Sequence, residues 1–190
     1  MRAMGYDSAA TRARLLDAAY DEFVERGLAG ARVDRIAAAA EANKQAIYAY
    51  FGSKDALFDA VLNARLQALA DLVPFDVDDL PGYVGALFDH FVAHPGILRL
   101  AQWRALERPE PSPDMVDAHV EKAKELAAAR GARVETTTDV LMLVLALAQV
   151  WNTTAAPIRT PTGTESAARL KRHRASVTRA ATAIARELLD

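Results

Sequence analysis

Lys44, Gln45, Tyr48 and Ala49 share one side of the short stretch from Asn43 to Phe51, while Ile47 and Phe51 fall on the other. Just upstream, Ile36, Ala37 and Ala40 form a second set of inward-pointing apolar positions. The segment 32–54, RVDRIAAAAEANKQAIYAYFGSK, therefore reads as two short helices around a tight turn, followed by the start of a third. A short helix held from behind by another, with a polar and aromatic outer face, has the geometry that enters a DNA major groove. The chemistry on offer is recognition of duplex DNA rather than the making or breaking of bonds.

The elements that position this face are helical by pattern. Thr11 to Arg26 carries an apolar stripe at Leu15, Leu16, Ala19, Tyr20, Phe23 and Val24. Gly27 then stands where a left-handed cap is expected, with Leu28 free to fold back on the last turn. Asn43 is an N-cap for the outward-facing helix, and Ser53 for the next, from Lys54 to about Leu72, with Asp55 in its first turn. Arg32 is a poor cap for the helix beginning near Val33. After a connector with Pro74, Phe75 and an acidic turn, helices are expected at 83–93, 96–107, 114–130, 134–155 and 165–189. His94-Pro95, RPEPSP (108–113), Gly131 and PIRTPTG (157–163) separate them. Ser112-Pro113 and His94-Pro95 place proline at first helical positions, and Thr162 with Glu165 has capping-box spacing. The expectation is an all-α chain of about nine helices.

Composition narrows the classes. The 190 residues are 52% hydrophobic, enough for one good core or a small lobe beside a larger one. Lacking cysteine, the chain has no disulfide, thiolate metal site or cysteine nucleophile, in keeping with a cytoplasmic setting. The first residues show no apolar signal core. Val140 to Trp151 is about half the ~20 residues of a membrane span and reads as a buried helix, so no membrane partner is expected. Paired Glu-x-x-His motifs, a nucleophile with its base, and a phosphate loop are all lacking, so an enzyme is not expected, and no cofactor is implied. The net charge is −2, and residues 1–75 carry 9 basic against 10 acidic side chains. Any DNA contact must come from local placement of positive charge.

The stretch Ile47-Tyr48-x-Tyr50-Phe51-x-Ser53-Lys54-x-x-Leu57, led by Val33-x-x-Ile36-Ala37-x-x-Ala40, resembles the signature of the tetracycline-repressor (TetR) family of bacterial transcription regulators. The resemblance implies a helix-turn-helix DNA-binding domain over residues 8–68, with its motif at about 32–51. It also implies a C-terminal ligand-binding and dimerisation bundle over 76–190. Position by position, it gives Tyr48 and Lys54 phosphate contacts and Lys44 and Gln45 base edges. Ala46 and Ala49 would touch thymine methyls, and Tyr50 falls between the two classes. Two positions depart from the family pattern. Glu41 replaces the usual turn glycine and would either extend the second helix or set an acid near phosphates. Arg32 replaces a phosphate-binding threonine and would take that role with a full charge.

The remaining two thirds suit a homodimer and a sensor. Leu170, Val177 and Ile184 recur every seven residues, with Ala180, Ala181 and Leu188 beside them, a narrow seam for a partner helix. Phe88, Phe91, Trp103, Glu107, Met142, Leu145 and Trp151 are the candidate ligand-binding residues, with Asp89 or Glu107 favouring a cationic aromatic effector. His90 and His94 have helical metal spacing but no third ligand, so no metal is assigned. Arg169 to Arg174, RLKRHR, reads as a solvated face. The whole points to a repressor released from a palindromic double-stranded operator by a small molecule. A helical dimeric adaptor that has lost DNA binding is the alternative.

Overall fold

The computed structural model describes residues 3–110, 113–161, 163 and 166–189, and among them it shows ten helices and no strand. In chain order these are α1 (Ala3–Gly30), α2 (Val33–Ala39), α3 (Lys44–Phe51), α4 (Lys54–Leu72), α5 (Leu80–Ala93), α6 (Gly96–Glu107), α7 (Pro113–Arg130), α8 (Val134–Thr153), α9 (Ala156–Arg159) and α10 (Ala167–Leu189). The helix beyond the expected nine is α9, a single turn inside the segment read as a breaker, with Pro157 in its opening positions where a missing N–H is harmless. Two further boundaries move for reasons of capping. Helix α5 starts at Leu80 because the Asp79 carboxylate accepts the Gly82 N–H at 2.8 Å. Helix α10 starts after Ser166, whose hydroxyl accepts the Arg169 N–H. Ser112, Thr162 and Glu165, and so the expected capping box, lie outside the described residues.

The chain divides into two compact units, Met1–Leu69 with Arg99–Glu110, and Ala70–Leu98 with Pro111–Asp190. In the first, Leu15, Ala19, Phe23, Ile36, Ile47, Leu57, Phe58 and Leu100 are buried together, with the Phe23 and Phe58 rings edge to face at 5.0 Å. Residues from α1, α2, α3, α4 and α6 thus share one core. Gly27 kinks α1 at φ 68 and ψ −177, not the left-handed cap expected there, because the helix resumes to Gly30 with Leu28 buried behind the kink. A Cβ at Gly27 would lie 2.5 Å from Glu107 and 2.9 Å from Trp103, so close approach as well as backbone sign demands glycine there.

In the second unit α5 packs on α8 and α10, α10 also packs on α8, and α7 covers α8. Helix α8 is 20 residues long, and its length and composition alone would allow a membrane crossing. Val140, Leu141, Val144, Ala148 and Trp151 nevertheless bury one side of it within this bundle. Thr137 is buried with them, and its hydroxyl donates to the Ala123 carbonyl of α7 at 2.7 Å. That bond satisfies a polar group that would otherwise destabilise the layer.

Candidate nucleic-acid interface

Helix α3 is a short rod anchored at both ends. The Asn43 side chain accepts the Ala46 N–H at 2.7 Å, and the Gly52 N–H, at φ 82, closes on the Tyr48 carbonyl. Ile47 is fully buried beneath it, and Phe51 is half-buried with the Arg12 guanidinium 5.3 Å from its ring centre. On the opposite side Lys44, Gln45, Tyr48, Ala49 and Tyr50 are exposed, Tyr48 at 46% of its surface, and Ala46 is half-buried. The Tyr50 hydroxyl donates to Ser8 Oγ at 3.0 Å. Lys44 is already paired, its ammonium 3.0 Å from the Asp34 carboxylate on α2. The pair is exposed and reaches outward, so an acceptor on DNA can exchange for the carboxylate at little cost.

Behind α3, α2 is fixed by charged side chains from α1. Arg32 gives α2 no side-chain cap. Its N–H instead donates to the Glu22 carboxylate of α1 at 2.9 Å. The Arg35 guanidinium grips the same carboxylate with Nε and Nη2, and also donates to the Gly30 carbonyl. At the other end of α2, Arg14 Nε donates to the Ala40 carbonyl at 3.1 Å. An acid thus meets the positive end of the helix and a base the negative end. Partial burial pushes the Glu22 carboxyl up, but bonds from Arg35 and the Arg32 N–H, with the charges of Arg35 and Arg26, outweigh it and leave it below its ordinary value.

The turn between α2 and α3 corrects one expectation. Glu41 does not extend α2. It adopts φ 50, in the left-handed region, while its N–H meets the Ala38 carbonyl and the Ala42 N–H meets the Ala37 carbonyl. This pair of bonds is the helix-ending motif that normally calls for glycine. The exposed Glu41 side chain accordingly projects from the turn. Lys54, expected to face phosphate, donates to the Ala31 carbonyl at 3.2 Å and is half-buried, while Arg32 is exposed.

The residues expected to hold a ligand are not gathered in one place. Trp103 and Glu107 belong to the first unit, where the indole N–H donates to the Val24 carbonyl and the carboxylate accepts the Ala29 N–H at 2.9 Å. Phe88, Phe91 and Trp151 are buried in the second unit, Leu145 is half-buried and Met142 is 65% exposed. Asp89 is held by Arg174 at 2.7 Å, so neither carboxylate is left for a cation. The seam on α10 turns inward. Val177 and Ala181 are buried on their own chain, and Leu170 and Ile184 are half-buried. RLKRHR also turns partly inward, because His173 lies 5.0 Å from the Trp151 ring and 5.8 Å from Phe88. His94 caps the end of α5 with its ring 4.7 Å from His90, and no cluster of three metal-ligating side chains occurs among the described residues.

A capped helix carrying a lysine, a glutamine and a tyrosine outward, braced by a second helix across a tight turn, defines a helix-turn-helix protein of all-helical build. The chain belongs to the TetR family. The profile of bacterial regulatory proteins of the tetR family matches residues 15–61, and that of the tetracyclin repressor-like C-terminal domain matches residues 79–182. The chain is similar to the HTH-type transcriptional repressor SCO4008 of Streptomyces coelicolor, 52% identical over 101 residues that form 53% of either chain. It is 30% identical to the HTH-type transcriptional repressor NicS of Pseudomonas putida over 131 residues, 65% of this chain and 58% of that one. The chain therefore matches a little over half the length of these curated relatives. Among solved structures, SCO4942 of Streptomyces coelicolor, described as a transcriptional regulator, superposes with a TM-score of 0.78 at 36% identity, covering 92% of this chain and 97% of that one. NalD of Pseudomonas aeruginosa, at 20% identity and a TM-score of 0.59 over 90% of this chain and 96% of its own, shares the fold. Proteins of this family are regulators rather than enzymes, bind DNA operators and act as dimers.

Proposed function

We propose that this protein is a sequence-specific transcriptional repressor that binds duplex DNA as a homodimer and leaves it when a small molecule occupies the second unit. The observation that carries the reading is the exposed face of α3, with Lys44, Gln45, Tyr48 and Ala49 free of covering protein while Ile47 locks the helix from behind. One such helix reads too few bases for useful specificity, so two-fold symmetry and a palindromic operator follow. Met142 and Leu143 on α8, with the half-buried Leu170 and Ile184 and the exposed Leu188 on α10, offer apolar surface to a partner subunit. Ligand binding would act as a population shift, favouring a dimer whose two reading helices no longer match successive major grooves.

Selection of bound duplexes from a random pool tests the core of this reading. A palindromic consensus is expected, and Lys44→Ala and Gln45→Ala should alter it by about 1–3 kcal/mol at the contacted base pairs. Tyr48→Phe should weaken binding to all sequences alike. Preference left unchanged by both Lys44→Ala and Gln45→Ala would show that α3 is not the reading element. The adaptor alternative draws on the near-neutral first 75 residues and the exposed Glu41. Salt-dependent retention on a duplex-DNA column separates it from a repressor.

A further inference from the structure

Of the four histidines in the chain, His90 and His94 stand together where α5 ends. His90 lies in the last turn and His94 is the cap, so one turn separates them. Their ring centres are 4.7 Å apart, with the planes tilted by 42°. The His94 N–H donates to the His90 carbonyl at 2.8 Å, which closes the turn that carries both rings. His90 is half-buried, its ring edge to face with Phe91 at 6.2 Å, and Pro95 restricts the backbone of His94. The pair is thus held in place before any ligand arrives, while His94 stays exposed to solvent.

The electrostatics suit a cation. Burial, and then the His94 charge, hold the His90 pKa below its ordinary 6.5. At neutral pH that ring is therefore uncharged, the form that ligates metals. Both rings sit at the negative end of the α5 dipole. Asp89, next in sequence, is gripped by Arg174 Nε at 2.7 and 2.8 Å, and no third metal-ligating side chain joins the pair among the described residues. Two nitrogens alone do not make a closed zinc site, which takes four protein ligands, nor a magnesium or calcium site, which takes oxygens. They do suit an ion that keeps water in its other positions. Metal–nitrogen bonds of about 2.0–2.1 Å put such an ion roughly 3.2 Å from each ring centre. Rings 4.7 Å apart then meet it at close to a right angle, the spacing of neighbouring corners in tetragonal copper(II).

We propose that His90 and His94 form a two-imidazole site for a copper(II) ion, with water completing its coordination. The sequence assigns no metal here for want of a third ligand; the convergence of the two rings is what the structure adds. The site goes beyond the repressor reading and does not rest on it.

Titration of the full, untagged chain with copper(II) chloride at neutral pH tests it. The imidazole NMR signals of the wild type give a readout that needs no variant. Substoichiometric copper(II) should broaden His90 and His94 and leave His119 and His173 sharp. By calorimetry, nickel(II) should bind at least about tenfold more weakly than copper(II), and magnesium should not bind. His90→Gln and His94→Gln should each cost copper(II) about tenfold, whereas His119→Gln should cost nothing, with far-UV dichroism checking that each variant keeps its helices. Broadening of all four histidines alike, broadening confined to His119 or His173, or copper(II) affinity unmoved by both His90→Gln and His94→Gln overturns the proposal. Retention of metal-free protein on duplex DNA reports on the repressor alone, so failure of either reading leaves the other standing.

Discussion

Glu41 occupies a backbone conformation that costs an L-residue roughly 1–2 kcal/mol, and glycine little. Glu41→Gly should therefore raise stability by about 1 kcal/mol, read as a higher denaturant midpoint at unchanged slope. Gly27→Ala should do the reverse and more strongly, about 2 kcal/mol or above. It forces an L-residue into a conformation that essentially only glycine adopts and adds a collision with the Glu107 and Trp103 side chains. At the exposed face of α3, Asp34 neutralises Lys44 and sets an acid beside the proposed DNA contact. Asp34→Asn should raise affinity for arbitrary duplexes several-fold at low salt and steepen its salt dependence. The Asn43 cap is legible in the sequence because its bond spans three residues. The Asp34–Lys44 pair is not, since it depends on how the turn at Glu41 brings α2 and α3 together.

At the scale of elements, α2 is only 7 residues long and could not persist alone. Arg14 and Glu22 of α1 stabilise its two ends, and this arrangement has a pH signature. The Glu22 carboxyl is lowered in the fold from its ordinary 4.5. A depressed carboxylate contributes stability that is fully present above that value and is lost as pH falls through the folded pKa. Denaturant midpoints of the wild type and Glu22→Gln should therefore differ at neutral pH and converge in acid, as the pH falls from 4.5 through the lowered folded value. A gap that persists in acid would exclude the ionised clamp. Helices α3, α4 and α5 were readable from periodicity, since each has an apolar side facing a core. The α10 seam was equally visible, but a heptad reports only that something covers it. Here α5 and α8 of the same chain do so. Helix α9 was hidden because one turn leaves no period to detect, and its prolines, Pro157 in its first turn and Pro161 just after it, read as breakers.

Across the whole molecule, electrostatics set the terms of DNA binding. With 9 basic and 10 acidic side chains in residues 1–75, and with Arg14, Arg35 and Lys54 engaged by the fold, few cations remain for phosphates. Two to three neutralised phosphates per subunit would give the dimer a logarithmic salt slope of about −4 to −5. A measured slope beyond about −8 would place the contact surface elsewhere than α3. The exposed face of α3 was legible in the sequence because its residues lie within a dozen positions of one another. A single cluster of the residues expected to hold a ligand was not, because Trp103 and Glu107 are drawn by α1 into one unit while Phe88, Phe91 and Trp151 are buried in the other. That partition leaves each unit with a single indole, Trp103 against Val24 and Trp151 beside His173. Trp151→Phe and Trp103→Phe variants would therefore carry separate fluorescent reporters, so emission from one protein can say which half responds to an added solute and in what order.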